Sequence, residues 1–330
     1  MSPRRLAGSG IDTGDESAFD RPRRRTRPRT KRRPDYDDLP IGQVLTIDRG
    51  RYRCRVEGRD VTAAKARSLG RGSVIVGDRV RLDGDVSGRE GTLARIARTE
   101  ERSTVLRRTA DDADPRERPV VANADQVVIV AALADPPPRP GMVDRILVAA
   151  RVAGIDPLLC LTKADLADPD AMIELFSPLE VPVVTTGRGG DLDELRSHLA
   201  ERTSVLVGHS GVGKSTLINA LVPGAGRSTG DVNDVTGRGR HTSTSALMIE
   251  LPGSGWIVDT PGVRSFGLSH VSAEDVLATF ADLEEFTEDC PRGCGHLATS
   301  PECGLDEALA RRDCSPVRVA SFRRLNAARQ

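Results

Sequence analysis

Aromatic side chains are scarce, at 3% of 330 residues, so the cores of this chain must be aliphatic. Long apolar runs are missing too. The longest, Val127 to Ala134, has the length of a strand and falls far short of the ~20 residues a membrane span needs. An export leader is also lacking. Met1-Ser2-Pro3-Arg4-Arg5-Leu6 carries an arginine pair, but no apolar stretch follows it. Six cysteines in a chain of this length are too few for a disulfide scaffold, and three of them cluster around a histidine. That usage points to a reducing, cytoplasmic setting with a metal site. Net charge is absent as well, at +0, but the balance conceals an asymmetry. Arg21 to Arg33 is mostly Arg and Lys with no acidic residue, whereas acids are spread over the remainder.

The length suits two or three domains, and composition divides the chain further. Residues 1–36 form an Arg-rich tail with almost no apolar surface to offset the entropy of ordering. Such a block either binds an anionic polymer through counterion release or merely solubilises the chain. Residues 37–108 read as a small β-barrel, with an OB-fold leading. The short strand-like segments are Gly42–Ile47, Tyr52–Val56, Ser73–Val76, Arg79–Leu82 and Gly91–Ile96, separated by Gly/Asp turns. Arg53, Arg55, Arg79 and Arg81 alternate with apolar residues, which would give the barrel a cationic face, while Tyr52 is its one aromatic. Backbone and shape contacts with RNA are then expected over base stacking; a purely structural barrel is the alternative.

Residues 109–122 are polar and rich in Pro and Asp and are expected to be a linker. From 123 to 269, apolar strands alternate with helical patterns: Val127–Val130, Gly141–Ala153, Pro157–Leu161, Asp170–Phe176, Val181–Thr186, Asp191–Arg202 and Thr203–Val207. That order predicts a mostly parallel, doubly wound α/β sheet.

Chemistry concentrates in this segment. Gly208-His209-Ser210-Gly211-Val212-Gly213-Lys214-Ser215-Thr216 is a G-x-x-x-x-G-K-S phosphate loop set between a strand and a helix. In that context backbone N–H groups and a helix N-terminus face a polyphosphate. Lys214 reaches the β- and γ-phosphates, and the Ser215 hydroxyl can ligate Mg²⁺. Thr162-Lys163-Ala164-Asp165 ends a strand in the T-K-x-D pattern. A carboxylate there accepts the N1–H and exocyclic amine of guanine, a donor pair that adenine lacks, so Asp165 is the specificity residue. Trp256–Asp259 runs into Thr260-Pro261-Gly262; Asp259 would hold the Mg²⁺ shell and the Gly262 amide would sense a γ-phosphate. Between these lies Gly237 to Thr244, Gly-rich and basic, which reads as a switch whose Thr242 or Thr244 completes the metal sphere. The guanine motif precedes the phosphate loop, the reverse of the usual order, so the chain reads as circularly permuted.

Residues 270–330 hold a different chemistry. Ser272 to Asp275 has a capping-box pattern, with helical spacing expected to about Phe286. Cys290, Cys294, His296 and Cys303 follow at C-x3-C-x-H-x6-C spacing. Three thiolates and an imidazole close a tetrahedral site with no open position, so a zinc here would be structural. Ser315-Pro316 signals another helix start, after which Arg318, Arg323, Arg324 and Arg329 form either a basic surface for rRNA or an ordinary solvated face.

The barrel, T-K-x-D, G-H-S-G-V-G-K-S-T, G-R-G-R-H-T, D-T-P-G-V-R-S-F-G-L and the Cys/His segment, in that order, resemble the bacterial ribosome small-subunit-dependent GTPase A family from about residue 40 onward. The resemblance implies an OB domain, a permuted GTPase domain and a zinc domain. It further implies a role in late maturation of the 30S subunit through contact with 16S rRNA, with GTP hydrolysis stimulated by that subunit. Members commonly have Asn where Thr162 stands, a Ser-Ala pair where Thr185-Thr186 stands, and C-x4-C-x-H-x5-C spacing at the metal site. Val263 follows the D-x-P-G motif, where many GTPases place a water-orienting glutamine, so unassisted turnover is expected to be slow. His241 is the candidate for the missing group, and the resemblance points to the same residue. Catalysis is thus assigned to His241, Lys214 and Asp259, with GTP and Mg²⁺ at one site, one Zn²⁺ at the other, and a monomer by default. The competing readings are an RNA-binding protein that uses GTP only as a switch, and a metabolic P-loop NTPase.

Overall fold

The computed structural model describes residues 36–70, 72–111, 114–226, 246–260, 268 and 271–328. The chain divides after Asp35, and Tyr36–Gln330 is one unit. The Arg21–Arg33 block, the Gly237–Thr244 stretch with His241, Thr242 and Thr244, and Gly262, Val263 and Arg329 lie outside the described residues.

Five strands build the barrel: β1 (Ile41–Asp48), β2 (Arg51–Val56), β3 (Arg59–Lys65), β4 (Arg79–Asp83) and β5 (Ala94–Thr99). They close in the order 1-2-3-5-4-1, with β3 and β5 parallel and the other pairs antiparallel. That is the OB arrangement. Alternation drives it: in β2, Tyr52, Cys54 and Val56 point inward while Arg51 and Arg53 face solvent. Tyr52 is therefore core, unavailable for stacking.

Two expectations fail here. β3 was not anticipated, because Thr62-Ala63-Ala64-Lys65 lacks the β-branched density of a strand; Val61 and Ala63 nonetheless supply its inward face. Of Ser73–Val76, expected as a strand, only Val76 pairs, in a single parallel bridge with Val121; Ser73–Ile75 are irregular and pack around the Asp78 carboxylate. That carboxylate accepts from Ile75 N at 2.8 Å and from Arg102 at 2.6 and 2.8 Å. Local hydrogen bonds to a carboxylate here outcompete a ladder.

The expected linker differs as well. β6 (Val105–Asp111) and β7 (Asp114–Ala122) pair antiparallel. The flanks of the Pro/Asp-rich stretch carry Leu106, Val121 and Ala122, each 0% exposed, and this burial orders it.

The nucleotide half adds β8 (Gln126–Ala132), α1 (Pro140–Val152), β9 (Asp156–Thr162), α2 (Asp170–Phe176), β10 (Val183–Thr186), α3 (Asp193–Leu199), β11 (Thr203–Val207), α4 (Lys214–Leu221), β12 (Leu247–Glu250) and β13 (Trp256–Asp259). The sheet order is β10-β9-β8-β11-β13-β12, parallel except for β12. Every residue of β8 is buried, as a strand covered on both faces requires. Ile129 and Val205 face α1, whereas Val130 and Leu206 face α3 and α4. β12 also meets β1 at Thr46 and Leu247, so barrel and nucleotide sheet are continuous.

The C-terminal segment comprises α5 (Ala273–Leu277), α6 (Ala281–Glu284), α7 (Gly304–Arg311) and α8 (Pro316–Ala328). Ser272 and Asp275 form the expected capping box, with bonds of 3.0 and 2.8 Å. The helix does not continue to Phe286. Thr279 Oγ1 takes the Val276 carbonyl at 2.7 Å, and Phe280 turns out of the helix to bury its ring edge-on against Phe322 at 5.4 Å. No core boundary falls at residue 270. Phe280, Phe322 and Leu325 belong to the same apolar cluster as Val127 and Ile146.

Candidate functional site

The carboxyl ends of β9 and β10 and the loop between β11 and α4 converge on one cleft of about 560 Å³, within the usual range for small-molecule sites. Thr162, Lys163, Asp165, Gly213 and Thr216 line it together with Gly187 and Arg188. Two halves that lie far apart in sequence thus share one wall.

The phosphate half starts where β11 ends. A Cβ on Gly208 would lie 2.2 Å from the Val130 carbonyl oxygen, so only glycine fits. Gly211 and Gly213 hold φ +81° and +97°, the left-handed region that lets consecutive amides turn inward. Gly213 leads into α4, whose N-terminus begins at Lys214. The Lys214 ammonium donates to the carbonyls of Gly208 and, at 3.0 Å, His209. Burial pulls its pKa below the usual lysine value, and the Asp259 carboxylate opposes that shift. A cation held over its own loop in this way is ready to exchange carbonyl partners for phosphate oxygens. Asp259, 6% exposed, ends β13 beside Leu206 of β11. Next to it, Thr260 Oγ1 donates to the Leu206 carbonyl at 2.9 Å. His209 is half-buried, with Nδ1 2.8 Å from the Ser210 carbonyl; Ser210 is exposed and Ser215 half-buried.

The base half is set by β9 and β10. Ala164 N donates to the Thr186 carbonyl at 3.1 Å. Asp165 Oδ1 accepts the Arg188 main-chain N–H at 2.9 Å, which fixes the carboxylate at the cleft. Gly187 packs closely there: a Cβ would lie 3.2 Å from Asp165 Oδ1 and would press on the carboxylate. Lys163 sends its ammonium to the Asp135 carbonyl, beside the loop rather than out in solvent. Sequence reasoning missed Gly187 and Arg188. Their signal was Gly-Arg-Gly-Gly directly after an apolar strand end, a turn too generic to read alone.

A second cluster lies in the C-terminal segment. The ligand atoms of Cys290, Cys294, His296 and Cys303 all lie within 4.8 Å of one another. A tetrahedral ion with ~2.3 Å bonds to sulfur needs sulfurs about 3.8 Å apart, so the donors fit a zinc-sized ion. His296 Nδ1 is the inward nitrogen, 3.6 Å from Cys290 Sγ and 3.8 Å from Cys303 Sγ. Gly304 N–H, at the start of α7, points to Cys290 Sγ at 3.2 Å and favours a thiolate. Burial pushes the Cys303 thiol up to about 11 and pulls His296 below its ordinary value. Three thiolates in so small a space call for a cation. Cys54 and Cys160 are buried far from this cluster, and Cys314 is half-buried; all six cysteines are free thiols.

The α8 arginines are not the solvated or RNA-facing surface that was expected. Arg318 donates to Asp282 and to the Pro178 carbonyl and stacks 4.6 Å from the Phe280 ring. Arg323 bonds Asp306 and the His296 carbonyl. Arg324 bonds Asp144 and lies 5.1 Å from the Phe176 ring. Arg318 and Arg324 thus tie the C-terminal segment to α1, α2 and the turn after α2, whereas Arg323 bonds within the segment. On the barrel, Arg55 is held by Asp60 and Glu250 and Arg81 by Glu100, while Arg53 and Arg79 are exposed.

A P-loop sheet with its guanine motif upstream of the phosphate loop, joined to an OB barrel and a Cys₃His segment, defines a circularly permuted GTPase. Residues 99–269 match the family model for RsgA GTPase. The chain belongs to this family. It is 40% identical over 262 residues to a Pseudomonas aeruginosa (strain LESB58) protein named Small ribosomal subunit biogenesis GTPase RsgA, covering 77% of this chain and 75% of that one. A protein of the same name from Azotobacter vinelandii is 38% identical over 262 residues, covering 77% and 74%. Two solved structures share the fold. The crystal structure of YjeQ from Thermotoga maritima has a TM-score of 0.63 at 24% identity, covering 88% of this chain and 98% of that one. YloQ, described as a circularly permuted GTPase, has a TM-score of 0.62 at 23% identity, covering 90% and 97%. Among the described residues, no helix is long and apolar enough to cross a membrane.

Proposed function

We propose that this chain is a cytoplasmic, monomeric assembly factor that binds the 30S subunit late in its maturation, contacts 16S rRNA and hydrolyses GTP to GDP and phosphate there. The observation that carries this is the shared cleft: Asp165, anchored by Arg188 N–H, sits on the same wall as Gly213 and Thr216 of the phosphate loop. The name of the Pseudomonas relative, with its reference to small ribosomal subunit biogenesis, supports the partner. Exposed Arg53 and Arg79 on the barrel suit phosphate contacts with rRNA, with the Arg21–Arg33 block as a second cationic segment.

In this reading Asp165 selects guanine, and Gly208–Thr216 hold the phosphates with Lys214 neutralising the β- and γ-oxygens. Ser215, Asp259 and Thr242 serve Mg²⁺, which when bound offsets the charge that builds on the transferred phosphoryl group. Gly262 senses the γ-phosphate. His241 holds the attacking water, because Val263 cannot. Cys290, Cys294, His296 and Cys303 hold a structural zinc. The proposed units are the tail 1–36, the barrel 37–108, the connecting segment 109–122, the GTPase unit 123–269 and the metal unit 270–330.

Single-turnover hydrolysis, with and without 30S subunits, tests this on the wild type and on His241→Ala. Unassisted turnover should be slow, on the order of 10⁻⁴ to 10⁻² s⁻¹, and subunits should accelerate only the wild type, with GTP affinity nearly equal in both. Absence of stimulation would favour a binding switch, and equal turnover of ATP would favour a metabolic NTPase.

A further inference from the structure

Of the four metal donors, His296 alone has a left-handed backbone, at φ +52°. A residue with a side chain keeps that conformation only where its surroundings impose it. Here the surroundings can be named. A peptide unit is planar, so the two planes that meet at a Cα set its φ and ψ, and with them the direction of Cβ. The plane after His296 is fixed within the Cys/His stretch, where Leu297 N–H donates to Ser300 Oγ at 3.0 Å. The plane before it is gripped from outside. Asn326 of α8, 0% exposed, donates from Nδ2 to the Gly295 carbonyl at 2.7 Å, a bond that spans 31 residues.

Two neighbours on α8 reinforce that grip. Arg323 Nε donates to the His296 carbonyl at 3.3 Å, and the Phe322 ring lies 6.4 Å from the imidazole. Positions 322, 323 and 326 fall on one side of a helix, so a single face of α8 meets the histidine. The ring it holds has little freedom to spare. Nδ1 stands 3.6 and 3.8 Å from two sulfurs, close to the edge of a tetrahedron around a zinc-sized ion. Metal–ligand distances tolerate only about 0.2 Å. Turning the Gly295–His296 plane changes φ and swings Nδ1 out of that range.

We infer that Asn326 is a positioning residue for the metal: its amide holds the Gly295–His296 peptide so that the imidazole meets the three thiolates. The four donors come from one stretch, and α8 aims the ring. This rests on the metal reading of Cys290, Cys294, His296 and Cys303 and deepens it.

The test uses the full-length protein loaded with Zn²⁺ or Co²⁺. Asn326→Leu keeps the volume and removes the donor. Leu325→Ala loosens α8 from the core, where Leu325 is 0% exposed, and leaves the Asn326 amide in place. Competition with a chromophoric chelator should show Zn²⁺ held ~10-fold more weakly by Asn326→Leu, the loss usual for a partner that orients a ligand. With Co²⁺, the visible d–d bands of that variant should shift and weaken per bound ion as the imidazole leaves its tetrahedral place. Thiolate charge-transfer absorption, which counts sulfurs, should stay at the wild-type level. Leu325→Ala should lower the urea midpoint and leave both absorptions, per bound ion, unchanged. Equal Zn²⁺ affinity in the wild type and Asn326→Leu would overturn the inference. So would wild-type d–d bands in Asn326→Leu, or the same band loss in Leu325→Ala, which would make helix packing rather than the amide the cause. Should Asn326→Leu fail to fold, Asn326→Ala carries the same expectations. A wild type that takes up no Zn²⁺ would defeat the metal reading and this inference with it, whereas a loaded wild type indifferent to the loss of Asn326 defeats this inference alone.

Discussion

The two ligand-binding regions are built in opposite ways. The metal cluster draws its four donors from one stretch, Cys290 to Cys303, and turns within that stretch bring them together: Cys290 N bonds the Thr287 carbonyl and Cys294 N the Pro291 carbonyl. The nucleotide cleft draws on β9, the turn after β10, and the loop between β11 and α4. No local interaction brings those three together; the order of a parallel sheet does. A local site depends on its ligands and a few turns, whereas an assembled one depends on every strand beneath it. Each region should therefore fail in its own way when its central residue is changed.

The largest effect should come from the base half. Asp165→Asn replaces an acceptor pair with an oxygen and an N–H₂ that opposes guanine's own amine, leaving buried donors unmatched. GTP affinity should fall ~100-fold or more. Xanthosine triphosphate, whose 2-oxo group accepts from the new amide, should gain. Isothermal titration checks both, and metal content by atomic emission should stay at the wild-type level. A drop in bound metal would break the contrast between the regions.

The second effect is structural. Cys303→Ser removes one donor from the cluster, 1% exposed and at the N-cap of α7. Bound zinc should become removable by a mild chelator and the unfolding midpoint should drop by several degrees, since metal binding free energy is folding free energy in such sites. GDP affinity should change less than about threefold. A larger loss of GDP binding would show that the metal segment props up the cleft, through the apolar cluster the two share.

What the sequence made readable follows the same division. The strands of the nucleotide sheet announced themselves because burial on both faces leaves continuous apolar runs such as Val127–Val130. The clustering of Cys290, Cys294, His296 and Cys303 was readable because their spacing falls within one short stretch. The failures fall where distant contacts decide. β3 has weak local character and is held by β2 and β5. The 109–122 segment is ordered by Leu106 and Val121, which reach a core outside it. Arg318, Arg323 and Arg324 follow helical spacing on a polar face, and only the tertiary structure shows that carboxylates and carbonyls of other elements occupy them. The bond that Thr162 Oγ1 donates to the Val212 carbonyl was hidden for the same reason: its acceptor lies 50 residues away.

The smallest effect belongs to the seam between the two regions. Asp144 of α1 is 2% exposed and faces Arg324 of α8 at 3.1 Å. Burial pushes its carboxyl up to about 6, with Arg324 pulling the other way. The unfolded chain would titrate this group near ~3.9, so between about pH 4 and pH 6 the folded protein holds a proton that the unfolded chain has lost. Its contribution to stability is therefore full below pH 4 and is lost as pH rises through 6. Asp144→Asn keeps an acceptor for Arg324 and cannot ionise. Urea unfolding of both proteins at pH 4.5 and pH 6.5 should show a difference in slope on the order of 1 kcal/mol across that interval. A variant with the same pH dependence as the wild type would mean that Arg324 already offsets the burial, and that the metal segment is docked through a fully compensated ion pair.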